Sequence, residues 1–213
     1  MGLLGMLREP FVFVDSPPGV LVDEELELVE PEARWIDEVL RACHHPHTQR
    51  EMPQQARMSR AGMELFLRQQ PRGRQKEEKA KGVLPGYTFW MRIRPEHFRG
   101  PAASLPPVLM AGSVSFRVGS TPTIDLYYGH FGYHVFPPAR GHRYAERSCR
   151  LLFGLARAHG FKSVWITCNP DNIPSRRTCE RLGGTMVGIV PVPPDNALYL
   201  QGDREKCRYL VEL

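Results

Sequence analysis

The run Arg140-Gly141-His142-Arg143-Tyr144-Ala145 has the residue types and order that most directly suggest chemistry. It follows a strand-like stretch ending at Pro137 and Pro138 and opens an amphipathic helix over residues 142–159. The first turn of a helix offers backbone N–H groups that lack acceptors, together with a partial positive charge, so a turn of this kind can hold a pyrophosphate. Arg140 and Arg143 add two guanidinium groups beside it. The expectation is a site for a phosphorylated cofactor.

Other residues offer proton transfer. His130 and His134 share one side of a strand by their even spacing. Imidazole is the commonest general base near neutral pH, although a strand histidine is more often a structural group. Cys179 has a thiol whose ordinary pKa of about 8.5 suits a general acid. Its helical neighbours Ser175 and Leu182 favour a packed core thiol instead. His44, His45 and His47 resemble metal ligands at first sight, but they lack the HExxH spacing and a partnering carboxylate or thiol. A polar loop after the first helix, with no metal, is the better expectation for them.

These groups must be held by elements that the rest of the chain supplies. Its 213 residues suffice for one well-buried α/β domain, taken as a core of about 24–213 behind an N-terminal extension 1–23. A 42% hydrophobic and 24% charged composition is ordinary for a globular chain. No apolar run reaches the ~18 residues that span a bilayer, so no membrane role is expected. MGLLGML is too short for a secretory signal, and Met6 stands where an N-myristoylation signal would place Ser or Thr. Five cysteines scattered without CxxC spacing argue against a zinc ribbon or a disulfide framework, and a reducing cytoplasm is the expected compartment. The net charge of +5 and pI near 9.1 permit an anionic partner.

Leu26, Leu28 and Val29 suggest a first strand, and Trp35, Ile36, Val39, Leu40 and Cys43 recur as one helical face. A second helix is expected over 59–69, closed by Pro71, and residues 71–82 read as a solvated loop. Strands follow over 87–93 and 108–118, and Gly160 ends the helix 142–159. Next come a buried-type strand over 163–168, a turn at Asn169-Pro170-Asp171 and a short helix over 172–182. Strands over 185–192 and 207–211 complete the reading.

In this order of elements the chain resembles the GNAT superfamily of acyl-CoA-dependent N-acetyltransferases, of the stand-alone single-domain type. The motifs are Val135-Phe136-Pro137, the turn Arg140 to Ala145, the strand before Asn169, and Asn172-Ile173-Pro174-Ser175. The resemblance implies an α/β fold with a mixed, mostly antiparallel sheet flanked by helices and splayed between its fourth and fifth strands. Acetyl-CoA would be the cosubstrate, its pantetheine arm lying in that splay. Backbone groups of Tyr133, His134 and Val135 would pair with the arm, and N–H groups of Gly141, His142, Arg143, Tyr144, Ala145 and Glu146 would hold the pyrophosphate. Asn172 and Ser175 would contact the arm. Three departures stand out. Arg143 replaces a usual Gly, Cys179 stands where many members carry a Tyr acid, and Thr167 stands where some carry a Glu base.

The function implied is acetyl transfer to an amine, or less readily a hydroxyl, by direct attack. The candidate catalytic residues are His134, His130, Cys179 and Ser175. The absent acid and base keep a non-catalytic acyl-CoA-binding protein open as the alternative. Nucleic acid fits worse, because the basic residues are interrupted by acids and lack interleaved aromatics. The sequence leaves open both the acceptor and a homodimer.

Overall fold

A computed structural model describes residues 11–14, 21–78, 81–97 and 107–213. The readings made for MGLLGML and Met6 lie outside the described residues, as does most of the extension 1–23. Eight strands form one sheet: β1 Leu26–Val29, β2 Arg74–Gln75, β3 Gly86–Ile93, β4 Met110–Arg117, β5 Phe131–Val135, β6 Ser163–Cys168, β7 Thr185–Pro191 and β8 Glu205–Glu212. Their order is β1-β3-β4-β5-β6-β8-β7, with β2 on β3. Every pairing is antiparallel except β5 with β6. The mixed, mostly antiparallel sheet expected from the sequence is therefore observed.

Helices α1 Ile36–Cys43, α2 Pro46–Glu51, α3 Pro53–Ala56 and α4 Arg60–Gln69 lie between β1 and β2. Later come α5 Tyr144–Ala158, α6 Ile173–Arg181 and α7 Ala197–Leu200. The sheet is covered on both faces, so β3 is buried nearly throughout rather than at alternate positions. On one face Cys149, Leu152, Leu155 and Ala156 of α5 pack on Tyr87, Phe89, Val114 and Phe116. Leu152 and Leu155 are wholly buried, each worth about 1.5–3 kcal/mol of apolar burial. On the other face Ile36, Val39 and Met63 pack on Trp90, Met110 and Phe136.

Several local expectations needed correction. His44 to His47 are not a loop: Pro46 begins α2, and His45 Nδ1 caps it by accepting from the His47 N–H. His44 Nε2 meets the Met58 carbonyl instead. Within 71–82, Arg74 and Gln75 pair with Tyr87 and Gly86, because Arg74 also reaches Glu30 and is tied down. A π-turn over Ile124–Tyr128 and the short α7 had no periodic signal. Phe11 and Phe13 of the segment 1–23 are partly buried and pack against the main core, Phe13 edge-on to Tyr87. Among the described residues no helix is long and apolar enough to cross a membrane.

Candidate active site

β5 meets β6 only at its first residue, beside the middle of β6, and then parts from it. Phe131 and Ile166 are their one registered pair, whereas β5 follows β4 over five residues and β6 follows β8 over six. Beyond Phe131 the β5 edge facing β6 has no strand partner, and a strand edge of that kind can hydrogen-bond an extended ligand. Gly112 lets β5 come close on its other side. A Cβ there would stand 1.9 Å from the His134 carbonyl oxygen, so only glycine allows this approach.

The gap opens into a cleft of about 710 Å³ that runs from β5 to the start of α5 and along α6. Tyr133, His134, Val135, Arg140, Gly141, Arg143, Tyr144, Ala145, Asn172 and Ser175 line it. Each of these was anticipated from the sequence. Gly141 has φ +91 and Arg143 φ +60, which curl the chain ahead of α5. No side chain caps that helix. Arg147 is the first residue whose N–H reaches back, to the Arg143 carbonyl, leaving the Ala145 and Glu146 N–H groups without a backbone acceptor. In contrast, α6 is capped by Asn172 Oδ1, which accepts the Ser175 N–H at 3.2 Å.

The charge in the cleft is positive, from Arg140, Arg143, Arg177 and Arg181. Two of these are engaged by carboxylates. Arg143 grips Glu146 through Nε and a terminal nitrogen at 2.8 and 3.0 Å, and Arg140 meets Glu51 at 2.7 Å. Arg140 Nε also donates to the Val135 carbonyl at 3.2 Å. The extra side chain at position 143 thus serves Glu146 rather than projecting freely into the turn.

Four expected residues do not line the cleft. His142 is exposed and stacks on Tyr144. The Glu146 side chain is buried between Arg143 and Arg150. His130 is buried at the start of β5, where its Nδ1 accepts the Trp165 N–H at 2.9 Å. That bond ties β5 to β6, and burial holds the imidazole below its usual pKa. Cys179 is fully buried behind the cleft wall, where hydrogen bonding to Cys168 and burial push its pKa far up. Thr167, at the other position of departure, donates its hydroxyl to the Tyr127 carbonyl.

His134 is placed differently. It lines this cleft and also a smaller hollow on the opposite face of the sheet. Its Nε2 has a weak partner, the Met52 sulfur at 3.4 Å, and its ring meets Phe136 edge-on. Burial, and then the nearby Arg140 charge, push its pKa down to about 4, so the imidazole is neutral at physiological pH.

The sequence reading treated Tyr133 as backbone alone and missed its side chain. The phenol crosses the gap from β5 to α6, with its oxygen 2.8 Å from Ser175 Oγ and 3.8 Å from Cys179 Sγ. Met52, Pro174, Arg177, Thr178 and Arg181 were also missed. The α6 members of this set recur at three- and four-residue intervals, which marks one helical face and was legible beforehand. Met52 gave no such signal, because only the fold brings α2 and α3 over β5.

A family model described as an acetyltransferase (GNAT) domain matches residues 25–185. The fold is similar to that of the microcin C7 self-immunity acetyltransferase MccE, solved with acetyl-CoA and AMP, at a TM-score of 0.61 and 16% identity over 93% of this chain and 98% of that one. It is also similar to RimL, a ribosomal L7/L12 α-N-protein acetyltransferase solved with coenzyme A, at 0.58 and 17% over 90% and 96%. A GNAT-family acetyltransferase from Bacillus anthracis gives 0.54 and 16% over 89% and 95%. No curated protein matches the sequence.

Proposed function

The chain belongs to the GNAT acetyltransferase family, and on that footing we propose that it acts as a single domain that moves an acetyl group from acetyl-CoA to the amine of a small acceptor. The observation that carries this reading is the cationic cleft running from the unpaired edge of β5 to the uncapped start of α5. Its features fit the cosubstrate part by part. The N–H groups at Ala145 and Glu146, with the curl at Gly141, suit a pyrophosphate. The edge of β5 suits the amides of a pantetheine arm.

Acetyl-CoA supplies the activated acyl group as its thioester. The chain's own residues do the rest. Neutral His134, at the border between the cleft and the hollow beyond it, accepts the proton that the amine loses on attack. Tyr133 donates a hydrogen bond to the departing sulfur from its place between Ser175 and Cys179. The Arg140 and Arg143 side chains exchange carboxylates for phosphate oxygens, a trade between partners of like charge. Transfer is direct and needs no acyl-enzyme.

Thermal denaturation with acetyl-CoA and with free CoA tests the reading. Binding at a hundredfold excess over Kd should stabilise the fold by about 2.7 kcal/mol, and the absence of any shift at millimolar ligand would overturn it. A non-catalytic acyl-CoA-binding protein is the second reading, favoured by Thr167 and Cys179 standing at the usual places of base and acid. Thiol release from acetyl-CoA in the presence of a panel of amines separates the two.

A further inference from the structure

The hollow on the far side of His134 has a volume of about 180 Å³. Val39 of α1, Met63 of α4, Trp90 of β3, Met110 of β4 and Phe136 form its walls, and all five are buried. Its polar lining comes from Gln55, Ser113 and His134, and Ser113 is the cross-strand partner of His134. No lining residue carries a carboxylate, and the one ionisable imidazole is neutral at physiological pH. An apolar cavity of roughly 150 Å³ holds one benzene ring, so this one has room for a single ring or a branched aliphatic group.

We infer that this hollow is the acceptor site, and that it selects a primary amine bearing one compact apolar group, taken up in the unprotonated form. The inference rests on the acetyl-transfer reading and specifies its acceptor. The apolar group fills the space between Trp90 and Met63. That seat leaves the amine beside Ser113 and His134, the residue shared with the cofactor cleft. An ammonium would enter without a counter-charge, which an apolar wall penalises heavily. The site therefore takes the free amine, and its proton leaves to His134 only after the N–C bond has formed and the C–S bond is breaking. Polyamines and aminosugars are excluded because their remaining polar groups find no partners in these walls.

The test compares phenethylamine and isopentylamine with spermidine and glucosamine, reading thiol release from acetyl-CoA. The apolar amines are expected to show kcat/KM at least tenfold higher, rising about tenfold per pH unit below the amine's own pKa. Val39→Phe fills the hollow and should raise the amine KM by about 10- to 200-fold, while the acetyl-CoA-induced thermal shift persists and shows that the variant is folded. Should that variant not fold, Met63→Ala enlarges the hollow and should move the preference to 4-phenylbutylamine. Saturation-transfer NMR with phenethylamine reads the hollow without cofactor. A preference for the polar amines, no turnover of any apolar amine by protein that binds acetyl-CoA, or unchanged selectivity in the variants would overturn the inference. Loss of the acetyl-CoA shift alongside NMR binding of phenethylamine would instead overturn the acetyl-transfer reading and leave the pocket chemistry standing.

Discussion

His134 and Tyr133 are consecutive residues of β5, so their side chains point to opposite faces of the sheet, one toward the hollow and one toward α6. A single strand thereby offers a proton acceptor on one face and a hydroxyl on the other. Replacing His134 by Gln should lower kcat by about 10² to 10⁴. In the native enzyme, kcat at saturating substrates should stay level on acidification until the pH nears 4, where His134 takes a proton. An acid limb centred near 6.5 would assign the base to an ordinary exposed histidine. Tyr133→Phe and Cys179→Ala form a matched pair. The first should cut kcat by about 10² or more with CoA affinity retained. The second should cost stability and leave the rate per folded molecule nearly intact, since Cys179 is fully buried within the core. Single-turnover rates and melting curves on both variants decide between them, and the reverse pattern would return the proton donor to Cys179.

At the scale of elements, the site depends on a helix that begins without a side-chain cap. Natural helices usually satisfy their first N–H groups with Ser, Thr, Asp or Asn, as Ser59 does for α4 and Asn172 for α6. In α5 the residue before the helix is Arg143 in the left-handed region, and its side chain accepts no N–H of the first turn. Gly141→Pro would force φ to about −65° where the turn needs +91. The expected outcome is loss of CoA binding by a hundredfold or more, measured by calorimetry, in a protein whose circular dichroism is unchanged. Gly141→Ala serves as the control. Its Cβ would meet nothing within 4 Å, so only the dihedral strain of roughly 1–2 kcal/mol is felt. Equal binding by both variants would move the phosphate site away from this turn.

Across the whole molecule, acid should loosen the fold through its buried imidazoles. Burial lowers the pKa of His130, His134 and His159 below the reference 6.5. Once the pH falls below that reference, the unfolded chain binds protons at these positions that the folded chain refuses. The difference in bound protons makes the unfolding free energy rise with pH, so this stabilisation is fully present above about 6.5 and declines toward pH 4. Asp23 and Asp203 are lowered too, because the upward push of burial is outweighed by hydrogen bonds to them, from Arg147 and from Lys206 among others, and their contribution is lost only as the pH falls below 3.8. Melting temperatures should therefore fall between pH 7 and 5, and His134→Gln should flatten that slope. A melting temperature that does not change over this range would mean that these imidazoles are protonated in the native state.

Much of this was legible in the sequence, because the signals were local. Period-2 and period-3.6 patterns placed β3, β4, α1, α4 and α5, and the spacing of Arg140, Gly141 and Ala145 marked the turn before α5. Eight of the ten anticipated residues that line the cleft come from a strand, a turn and the helix that follows it, which stay adjacent in space as in sequence, and Asn172 and Ser175 join them from the start of α6. The tertiary structure alone could separate His134 from His130. Both sit at even positions on one stretch, but the parallel pairing with β6 buries the earlier ring at Trp165, while the divergence of β5 from β6 leaves the later one at the border of two cavities. Likewise, the reach of Tyr133 to Ser175 and Cys179 spans more than forty residues of chain, and the hollow beyond His134 is assembled from α1, α3, α4, β3, β4 and β5 together. No periodicity encodes such meetings. They are set by how the two faces of the sheet are covered and by where its strands part.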